Sequence, residues 1–331
     1  MILIDADVLG RNRTGDETYV RELLRALPEV AGDLRIAALT RDASLVPEGI
    51  EPVVLSARTQ ELRMAVGVPR LLARLRPRLA HFVHSLPLRC PVPAALTVQD
   101  LSWERDPSVF GWWDLLTFKI FVRRSVRRAR HVFAISERTK RDLVELYRTP
   151  PQKITVTPLA PDPEFKPARE HNSFLLFVSA IEPRKQPLDA IDAANAVGRK
   201  LVVVGPKKDA ELVAELERRG AEVRGYVPKE ELVRLYQSAA CLVFPSRYEG
   251  FGLPVVEAMA CGTPVVAAPE PAMQEVAGAA AVFTNDLAAG VRQALAERER
   301  LSAAGLERAR AFSWRETARI TADVYRKILA G

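Results

Sequence analysis

Three features are scarce in this sequence of 331 residues, and each scarcity excludes a class of protein. The three cysteines, Cys90, Cys241 and Cys261, are far apart and lack metal-like spacing, so we expect no disulfide framework and predict a reducing, cytoplasmic compartment. Eighteen consecutive apolar residues occur nowhere, and a predicted strand begins at Met1 without a charged leader, so neither a membrane-spanning helix nor a signal peptide is expected. A Gly-x-Gly-x-x-Gly sequence between a strand and a helix is also missing, which argues against a nicotinamide dehydrogenase.

Short apolar runs alternate with amphipathic stretches along the whole chain, the pattern of parallel sheets covered by helices. The length suits two domains of about 150 to 170 residues each, and because apolar residues make up 48% of the sequence, each domain can bury its own core. The sequence therefore predicts an α/β protein with two doubly wound, Rossmann-like domains at 1–165 and 166–312, a proline-rich hinge at 160–172 and a last helix within 313–331. Strands are predicted at 1–5, 35–40, 52–55, 81–84, 94–99, 131–135, 154–158, 173–179, 200–204, 222–225, 241–244, 264–267 and 281–283.

The segment 244–268 combines a strand end, a glycine loop and a helix start with two carboxylates. Pro254 suits the first helical position, so Glu249 falls in the loop and Glu257 on the first turns of the helix. Backbone amides at a helix start hold anionic or hydroxyl oxygens, and a carboxylate can bind the diol of a ribose. These residues predict a site for phosphate, sugar and ribose, although a lone glycine loop is also common in ordinary α/β sheets.

A second polar segment, 177–190, follows a predicted strand and contains Arg184 and Lys185. A guanidinium and an ammonium held together would stabilise the charge that develops on a departing diphosphate. The alternative is a solvated turn of a basic chain, whose formal net charge is +7.

These motifs resemble those of the retaining glycosyltransferases with the GT-B fold, family 4, in which Pro-Ser-x-x-Glu-Gly-Phe-Gly-Leu-Pro-x-x-Glu recurs almost as it stands here. The resemblance implies two facing domains with a cleft between them, a last helix that returns to the first domain, a nucleotide diphosphate sugar as co-substrate, and no cofactor. It implies that Glu249 positions the transferred sugar and that Glu257 holds the ribose. The diphosphate would be held by Arg184 and Lys185, and the other residues implied in donor binding are Ser246, Gly250, Phe251, Gly252 and Leu253.

The first domain resembles the family at the loop that begins at Arg13, where Gly15 would let the backbone approach the donor phosphates. Asp16 and Glu17 in this loop would repel a diphosphate, so we expect them to face the acceptor or solvent, with Tyr19 in the core. After the strand 94–99 the family usually has His-Asp, and this chain has Gln99 and Asp100. A glutamine cannot take a proton but can hydrogen-bond a sugar hydroxyl.

Two further polar features of the first domain allow more than one interpretation. His84 is a candidate substitute for the missing histidine, and a buried or capping role is the alternative. The pair Asp5 and Asp7 matches a metal-binding triplet superficially, but the resembled family generally needs no metal, and we predict no metal site. Ala160 replaces a glycine of the family pattern.

Cationic residues concentrate at 119–130, beside apolar and aromatic ones. Such a basic amphipathic helix can lie on an anionic membrane surface, and a solvated helix face is the equally favoured alternative. The tryptophans near it could anchor at a membrane interface or line an acceptor site: Trp103, Trp112 and Trp113. No stacking motif or recognition helix for nucleic acid accompanies the basic residues, so a nucleic-acid partner is not expected.

The sequence predicts a retaining, metal-independent hexosyltransferase that uses a UDP- or GDP-sugar and a glycan, lipid-linked or small-molecule acceptor, in the cytoplasm or peripherally at the inner face of the membrane. A nucleotide-sugar-binding protein without transferase activity is the alternative, suggested by Gln99, the acidic loop at Gly15 and Ala160. A GT-B epimerase or phosphorylase is disfavoured, because no segment resembles the acid-base groups or the pyridoxal lysine that those enzymes need.

Overall fold

The computed structural model describes residues 1–11, 14–168 and 174–331. Arg13 of the first-domain motif, residues 169–172 of the predicted hinge and Ser173, where a strand was predicted to begin, lie outside this described part. The chain forms two compact units: the first unit comprises Met1–Leu159 and Ser313–Gly331, and the second comprises Ala160–Phe312. Within the described ranges, no helix is both long enough and apolar enough to span a bilayer.

The first unit contains a seven-stranded parallel sheet in the order β3-β2-β1-β4-β5-β6-β7. Its strands are β1 Ile2–Asp5, β2 Ile36–Thr40, β3 Glu51–Val54, β4 Leu79–Val83, β5 Ala94–Val98, β6 His131–Ala134 and β7 Ile154–Val156. Its helices before the last one are α1 Thr14–Val30, α2 Gln60–Leu62, α3 Val68–Leu75, α4 Ser102–Arg105, α5 Trp112–Arg128 and α6 Glu137–Tyr147. A π-helical turn, Arg63–Gly67, joins α2 to α3, and short 3₁₀ turns lie at Ala43–Leu45, Pro107–Val109 and Pro151–Lys153.

The second unit contains a six-stranded parallel sheet in the order β10-β9-β8-β11-β12-β13. Its strands are β8 Leu175–Val178, β9 Leu201–Val204, β10 Glu222–Gly225, β11 Cys241–Phe244, β12 Val265–Ala267 and β13 Val282–Phe283. Its helices are α7 Pro187–Ala196, α8 Ala210–Arg218, α9 Lys229–Ser238, α10 Leu253–Ala260, α11 Pro271–Ala277, α12 Leu287–Ala296 and α13 Arg298–Ala309, with 3₁₀ turns at Pro183–Lys185 and Gly278–Ala280.

Two doubly wound parallel sheets were predicted, and the structure confirms them. The central strands β8, β9 and β11, and β1 before Asp5, are apolar and nearly inaccessible to solvent because helices cover both faces of each sheet. Some boundaries differ by two residues: β4 begins at Leu79 rather than at His81, and β7 ends at Val156 rather than at Pro158. The end of β4 has a local cause. This strand ends at Val83 because His84 adopts a left-handed conformation, with φ +64°, that cannot continue a strand.

The last helix, α14 Trp314–Ala330, returns to the first unit, as predicted, and it packs against α1. Arg326 donates to the carbonyl of Val30 at 3.0 Å and forms an ion pair with Asp33. The hydroxyl of Tyr325, inside the core, lies 2.5 Å from Nδ1 of His81 on β4. Burial lowers the pKa of His81 to about 3, so the ring stays neutral and serves as a structural hydrogen-bonding group.

Candidate functional site

In each sheet the strand order reverses between two neighbouring strands, β1 and β4 in the first and β8 and β11 in the second. Ligands of open α/β proteins bind at this position, beyond the carboxyl ends of the strands. The segments that follow β8 and β11, residues 179–187 and 245–257, form what we call the second-sheet edge. Residues 5–11 and 14–17 at and after the end of β1, with 84–85 after β4 and 99–102 after β5, form what we call the first-sheet edge.

At the second-sheet edge, Lys185 and Glu249 form a buried ion pair. Nζ of Lys185 donates to Oε1 of Glu249 at 2.6 Å, and each residue is 9% exposed. Lys185 ends the 3₁₀ turn after β8, and Glu249 lies in the loop after β11, so the adjacency of these strands brings the two together. Burial lowers the pKa of Lys185 below its usual value; Glu249 opposes this effect, and the charge of Arg184 adds to it.

Arg184 fastens the two loops of this edge to each other. Its Nη1 donates to the carbonyl of Tyr248 at 2.6 Å, and its own carbonyl accepts from the amide of Arg247 at 3.1 Å. Nη2 of Arg184 also donates to Glu182 at 2.8 Å. Burial by itself would raise the pKa of Glu182, but the hydrogen bond from Lys208 and the charge of Arg184 hold it below its usual range. The edge therefore contains a fixed guanidinium, an ammonium and two carboxylates.

The glycine loop turns sharply into α10 at Gly252, whose φ is +96°. A Cβ here would lie 3.3 Å from Cγ of Met273, so both the backbone conformation and the available space favour glycine. Leu253 begins the helix, and Phe251 packs its ring edge-on against Phe312, with centroids 5.5 Å apart. The loop thus opens the amino end of α10 in a fixed orientation, as a binding site for anionic oxygens requires.

The two other loop residues implied in donor binding are Ser246 and Gly250, which both lie buried between β11 and α10. The hydroxyl of Ser246 donates to the carbonyl of Tyr248 at 3.2 Å. The structure therefore gives Ser246 a role in shaping the loop.

Glu257 lies on α10 in an apolar setting, 8% exposed. Its Oε2 accepts a hydrogen bond from the hydroxyl of Tyr236 on α9 at 2.9 Å. Burial, to which the negative charge of Asp162 adds, raises the pKa of Glu257 to about 8, although the bond from Tyr236 opposes the shift. Glu257 is thus held largely protonated at neutral pH.

The first-sheet edge brings together Gly15, His84 and Gln99, which are distant in sequence. Oε1 of Gln99 lies 3.7 Å from where a Cβ of Gly15 would be. Nε2 of Gln99 is buried and has no hydrogen-bond partner among the described residues. Asp100 accepts from the amide of Ser102 at 2.9 Å, so at least one of its oxygens shapes the turn into α4.

A loop was predicted at Gly15, but Gly15, Asp16 and Glu17 lie in the first turn of α1. The two acidic residues bind partners within the first unit. Oδ1 of Asp16 lies 3.0 Å from Nε2 of His84. Glu17 is buried, accepts the amide of Gly10 at 3.0 Å and pairs with Arg21. The expectation that these carboxylates face acceptor or solvent is therefore wrong for Glu17, because its charge is compensated inside the fold. Tyr19 lies in the core, as expected, and its hydroxyl is hydrogen-bonded to Oγ1 of Thr97 at 2.8 Å.

The carboxylates of Asp5 and Asp7 bind arginines. The buried guanidinium of Arg63 pairs with both, and Arg41 and Arg11 also contact Asp7. Sequence reasoning missed Arg63, and it also missed Tyr236 as the partner of Glu257. No sequence motif near Arg63 or Tyr236 indicates these roles, because each residue reaches its partner only through tertiary packing.

Two family models match adjoining parts of this chain. The model described as Glycosyltransferase Family 4 matches residues 13–165, and the one described as Glycosyl transferases group 1 matches residues 161–310. Together they span both units.

Among similar proteins is the O-antigen chain mannosyltransferase B of Escherichia coli, 29% identical over 238 residues, which are 62% of this chain and 62% of that protein. The MMP alpha-(1->4)-mannosyltransferase of Mycolicibacterium hassiacum is 32% identical over 254 residues, 69% of this chain and 61% of that protein. This chain thus spans about three-fifths of the length of these two curated relatives.

The fold is also found in a solved structure. Sucrose-phosphate synthase of Thermosynechococcus elongatus superposes with a TM-score of 0.81 at 19% identity, over 99% of each chain. The same fold is indicated by three observations: the two doubly wound sheets, the two family models and this structural likeness. The chain belongs to the GT-B glycosyltransferases of family 4, the glycosyl transferases group 1.

Proposed function

We propose that this protein transfers a hexosyl group, with retention of anomeric configuration, from a UDP- or GDP-sugar to a hydroxyl of a glycan, lipid-linked or small-molecule acceptor. The observation that carries the proposal is the buried pair of Lys185 and Glu249, 2.6 Å apart, beside the amino end of α10. Both similar mannosyltransferases move a hexose, which supports a hexosyl donor.

The charges at the second-sheet edge suit the departure of a diphosphate from a sugar. Bond cleavage leaves negative charge on the β-phosphate and positive charge on the sugar ring. Lys185 and Arg184 would stabilise the phosphate, and the carboxylate of Glu249 would stabilise the ring. Because the ammonium and the carboxylate already face each other, little reorganisation is needed as these charges develop.

Glu257 would bind the nucleotide ribose in this proposal. Its carboxyl group is buried and fixed by Tyr236, so a diol that reaches it finds an oriented hydrogen-bonding partner. The loop amides at Phe251, Gly252 and Leu253 would hold phosphate oxygens.

No metal or cofactor is required in this proposal. Arg184 and Lys185 supply the positive charge that a divalent cation would otherwise give to the diphosphate. At the first-sheet edge, Asp5 and Asp7 already bind Arg63 and its neighbours.

Gln99 would donate a hydrogen bond to a hydroxyl of the substrate, because no acceptor among the described residues lies within reach of its buried Nε2. An amide side chain cannot accept a proton. The leaving phosphate itself would take the proton of the acceptor hydroxyl, as a front-face mechanism with retention allows.

The same glutamine favours a second candidate function, nucleotide-sugar binding without transfer. That protein would bind a donor but would neither transfer nor hydrolyse its sugar across a broad acceptor panel. The unpaired amide of Gln99 is compatible with both candidates, so the decision requires a transfer assay.

Thermal unfolding with UDP, GDP, ADP and TDP tests the donor assignment. A nucleotide at 100 times its dissociation constant should stabilise the protein by about 2.7 kcal/mol. We expect UDP or GDP to do so and ADP and TDP to do so less. The matching sugar nucleotide, with chelator present, should then be consumed only when a suitable acceptor is added, and stabilisation by none of the four would contradict both candidates.

We also propose that α5 contacts an anionic membrane surface peripherally. Trp112 and Trp113 at its start are 62% and 65% exposed, and its second half is rich in arginine. Changing both tryptophans to serine should weaken binding to vesicles of phosphatidylcholine and phosphatidylglycerol severalfold, because interfacial aromatic side chains are lost. Unchanged sedimentation with these vesicles would leave the solvated-face alternative, in which Trp112 and Trp113 do not meet lipid.

A further inference from the structure

A cationic cavity lies at the amino ends of strands in the first sheet, at the edge opposite Gln99. Its volume is about 810 Å³, and its wall includes Ala94 at the start of β5, Arg130 just before β6 and Lys153 just before β7. Because the strands are parallel, their amino ends share one edge of the sheet. This amino-edge cavity is therefore separate from the first-sheet edge, and none of its lining residues belongs to the second unit.

Four cationic side chains line the amino-edge cavity: Arg124, Arg128, Arg130 and Lys153. No Asp or Glu side chain is among the lining residues, which also include Gly331 at the end of α14. Nη1 of Arg124 is shielded from solvent and has no hydrogen-bond partner among the described residues. Burial lowers the pKa of the Arg124 guanidinium, and the like charge of Arg128 adds to this effect. Four cationic side chains in one wall, with no Asp or Glu side chain beside them, favour an anion.

The wall of the cavity is preformed. The amide of Leu86 donates to Oγ of Ser125 on α5 at 2.9 Å, and Arg124 donates to the carbonyl of Leu88. Nζ of Lys153 donates to the carbonyls of Val126 and Arg127, at 2.8 and 2.9 Å, near the end of α5. The β4–β5 loop and the end of α5 are thus fixed to each other around the cavity, so a ligand would meet oriented cations.

The helix that forms the cavity wall also carries an apolar stripe. Residues of α5 spaced by three or four positions lie on one face, and this face reads Trp113, Leu116, Ile120, Arg124, Arg128. The three apolar side chains are 65%, 46% and 53% exposed. Exposed apolar surface therefore leads along one stripe, over about 20 Å, to the cationic cavity.

We propose that the amino-edge cavity binds the phosphate group of an anionic phospholipid, with the acyl region of the lipid along the apolar stripe of α5. Guanidinium groups bind phosphate oxygens through paired hydrogen bonds, and the apolar stripe favours a lipid over a free phosphate ester. The inference does not depend on the proposed sugar transfer, but it rests on the proposed contact of α5 with a membrane and deepens it. It also differs from general attraction to an anionic surface, because it assigns the phosphate to particular arginines.

Arg128→Gln and Arg127→Gln provide a matched test in the full-length protein. Both residues are exposed on α5 and lose the same charge, but Arg127 does not line the cavity. In flotation with vesicles of phosphatidylcholine with and without phosphatidic acid, Arg128→Gln should weaken binding to the acidic vesicles about tenfold more than Arg127→Gln. That ratio corresponds to the loss of one charge-assisted hydrogen-bonded pair.

Arg130→Gln serves as a second variant, because Arg130 lies outside α5 and its change cannot perturb the helix itself. It should reproduce the effect of Arg128→Gln. Equal weakening by Arg127→Gln and Arg128→Gln would overturn the proposal in favour of unspecific surface attraction. Binding of soluble glycerol 3-phosphate that is lost in Arg128→Gln, without any effect on vesicles, would overturn the lipid as the source of the phosphate. Sugar transfer in detergent should be unaffected by either variant, so a failure of this inference is distinguishable from a failure of the proposed function.

Discussion

Replacing Lys185 by methionine should lower kcat for sugar transfer by about 10²- to 10³-fold, the usual effect of removing one preorganised donor from a developing anion. Methionine keeps most of the side-chain volume but has no charge and no hydrogen to donate. The ammonium of Lys185 is the buried cation that faces Glu249, and the exposed lysines of the second unit cannot replace it from the surface. Initial rates at saturating donor give kcat directly.

The control for this experiment is Lys200→Met, which removes the same charge from the surface ion pair with Glu222 in the same unit. It should leave kcat within about twofold, since an exposed pair contributes little. If Lys200→Met lowers kcat as much as Lys185→Met does, the loss reflects net charge and the role given to Lys185 is wrong.

A structural effect of the Lys185 change can be separated from its effect on catalysis. Lys185→Met leaves the buried carboxylate of Glu249 without its partner, which costs about 3–5 kcal/mol of stability in comparable buried pairs. The double variant Lys185→Met/Glu249→Gln removes that unpaired charge, so its thermal stability should recover while its activity stays low. Recovery of activity together with stability would show that the pair serves folding alone.

Glu257→Gln should make the stability of the protein less sensitive to pH. The pKa of the Glu257 carboxyl is 4.5 when it is unperturbed, as in the unfolded chain, and about 8 in the folded protein. Between pH 4.5 and about pH 8, folding therefore takes up a proton. The stability that this carboxyl contributes is fully present below pH 4.5 and is lost as the pH rises through about 8. Relative to the glutamine variant, the parent should lose about 1.4 kcal/mol per pH unit across this window.

Urea unfolding of both proteins between about pH 5 and pH 9 measures this difference, with the transition of the second unit followed separately because two units need not unfold together. Glu299→Gln changes an exposed glutamate of α13 and should reproduce the parent curve. A difference between parent and Glu257→Gln that stays constant across the range would contradict the burial-driven pKa.

The order and type of the strands could be predicted because each strand is a short apolar run that cannot be buried except in a covered sheet. The runs at Cys241–Phe244 and Leu201–Val204 show this, since their observed bounds agree closely with the predicted ones. Glycine and proline also acted locally: Gly252 permits the left-handed turn, and Pro254 lies in the first turn of α10. Both effects depend on neighbouring residues only.

The chemical environment of each candidate residue could not be predicted in the same way. Glu249 and Glu257 belong to one short motif, yet one pairs with Lys185 and the other with Tyr236. Glu17 looked like a charge in a ligand loop, but the fold pairs it with Arg21 and an amide. Burial and partner identity depend on which elements pack together, and a local motif does not contain that information.

The sequence by itself determined the two doubly wound sheets and the loop that leads into α10, because apolar periodicity, glycine and proline act over a few residues. Tertiary structure alone decided that Lys185 meets Glu249, 64 residues further along the chain. It also decided that Arg124, Arg128, Arg130 and Lys153 line one cavity. The physical reason is strand order: parallel strands that are buried on both faces have similar sequences, so only their packing selects which strand ends lie side by side.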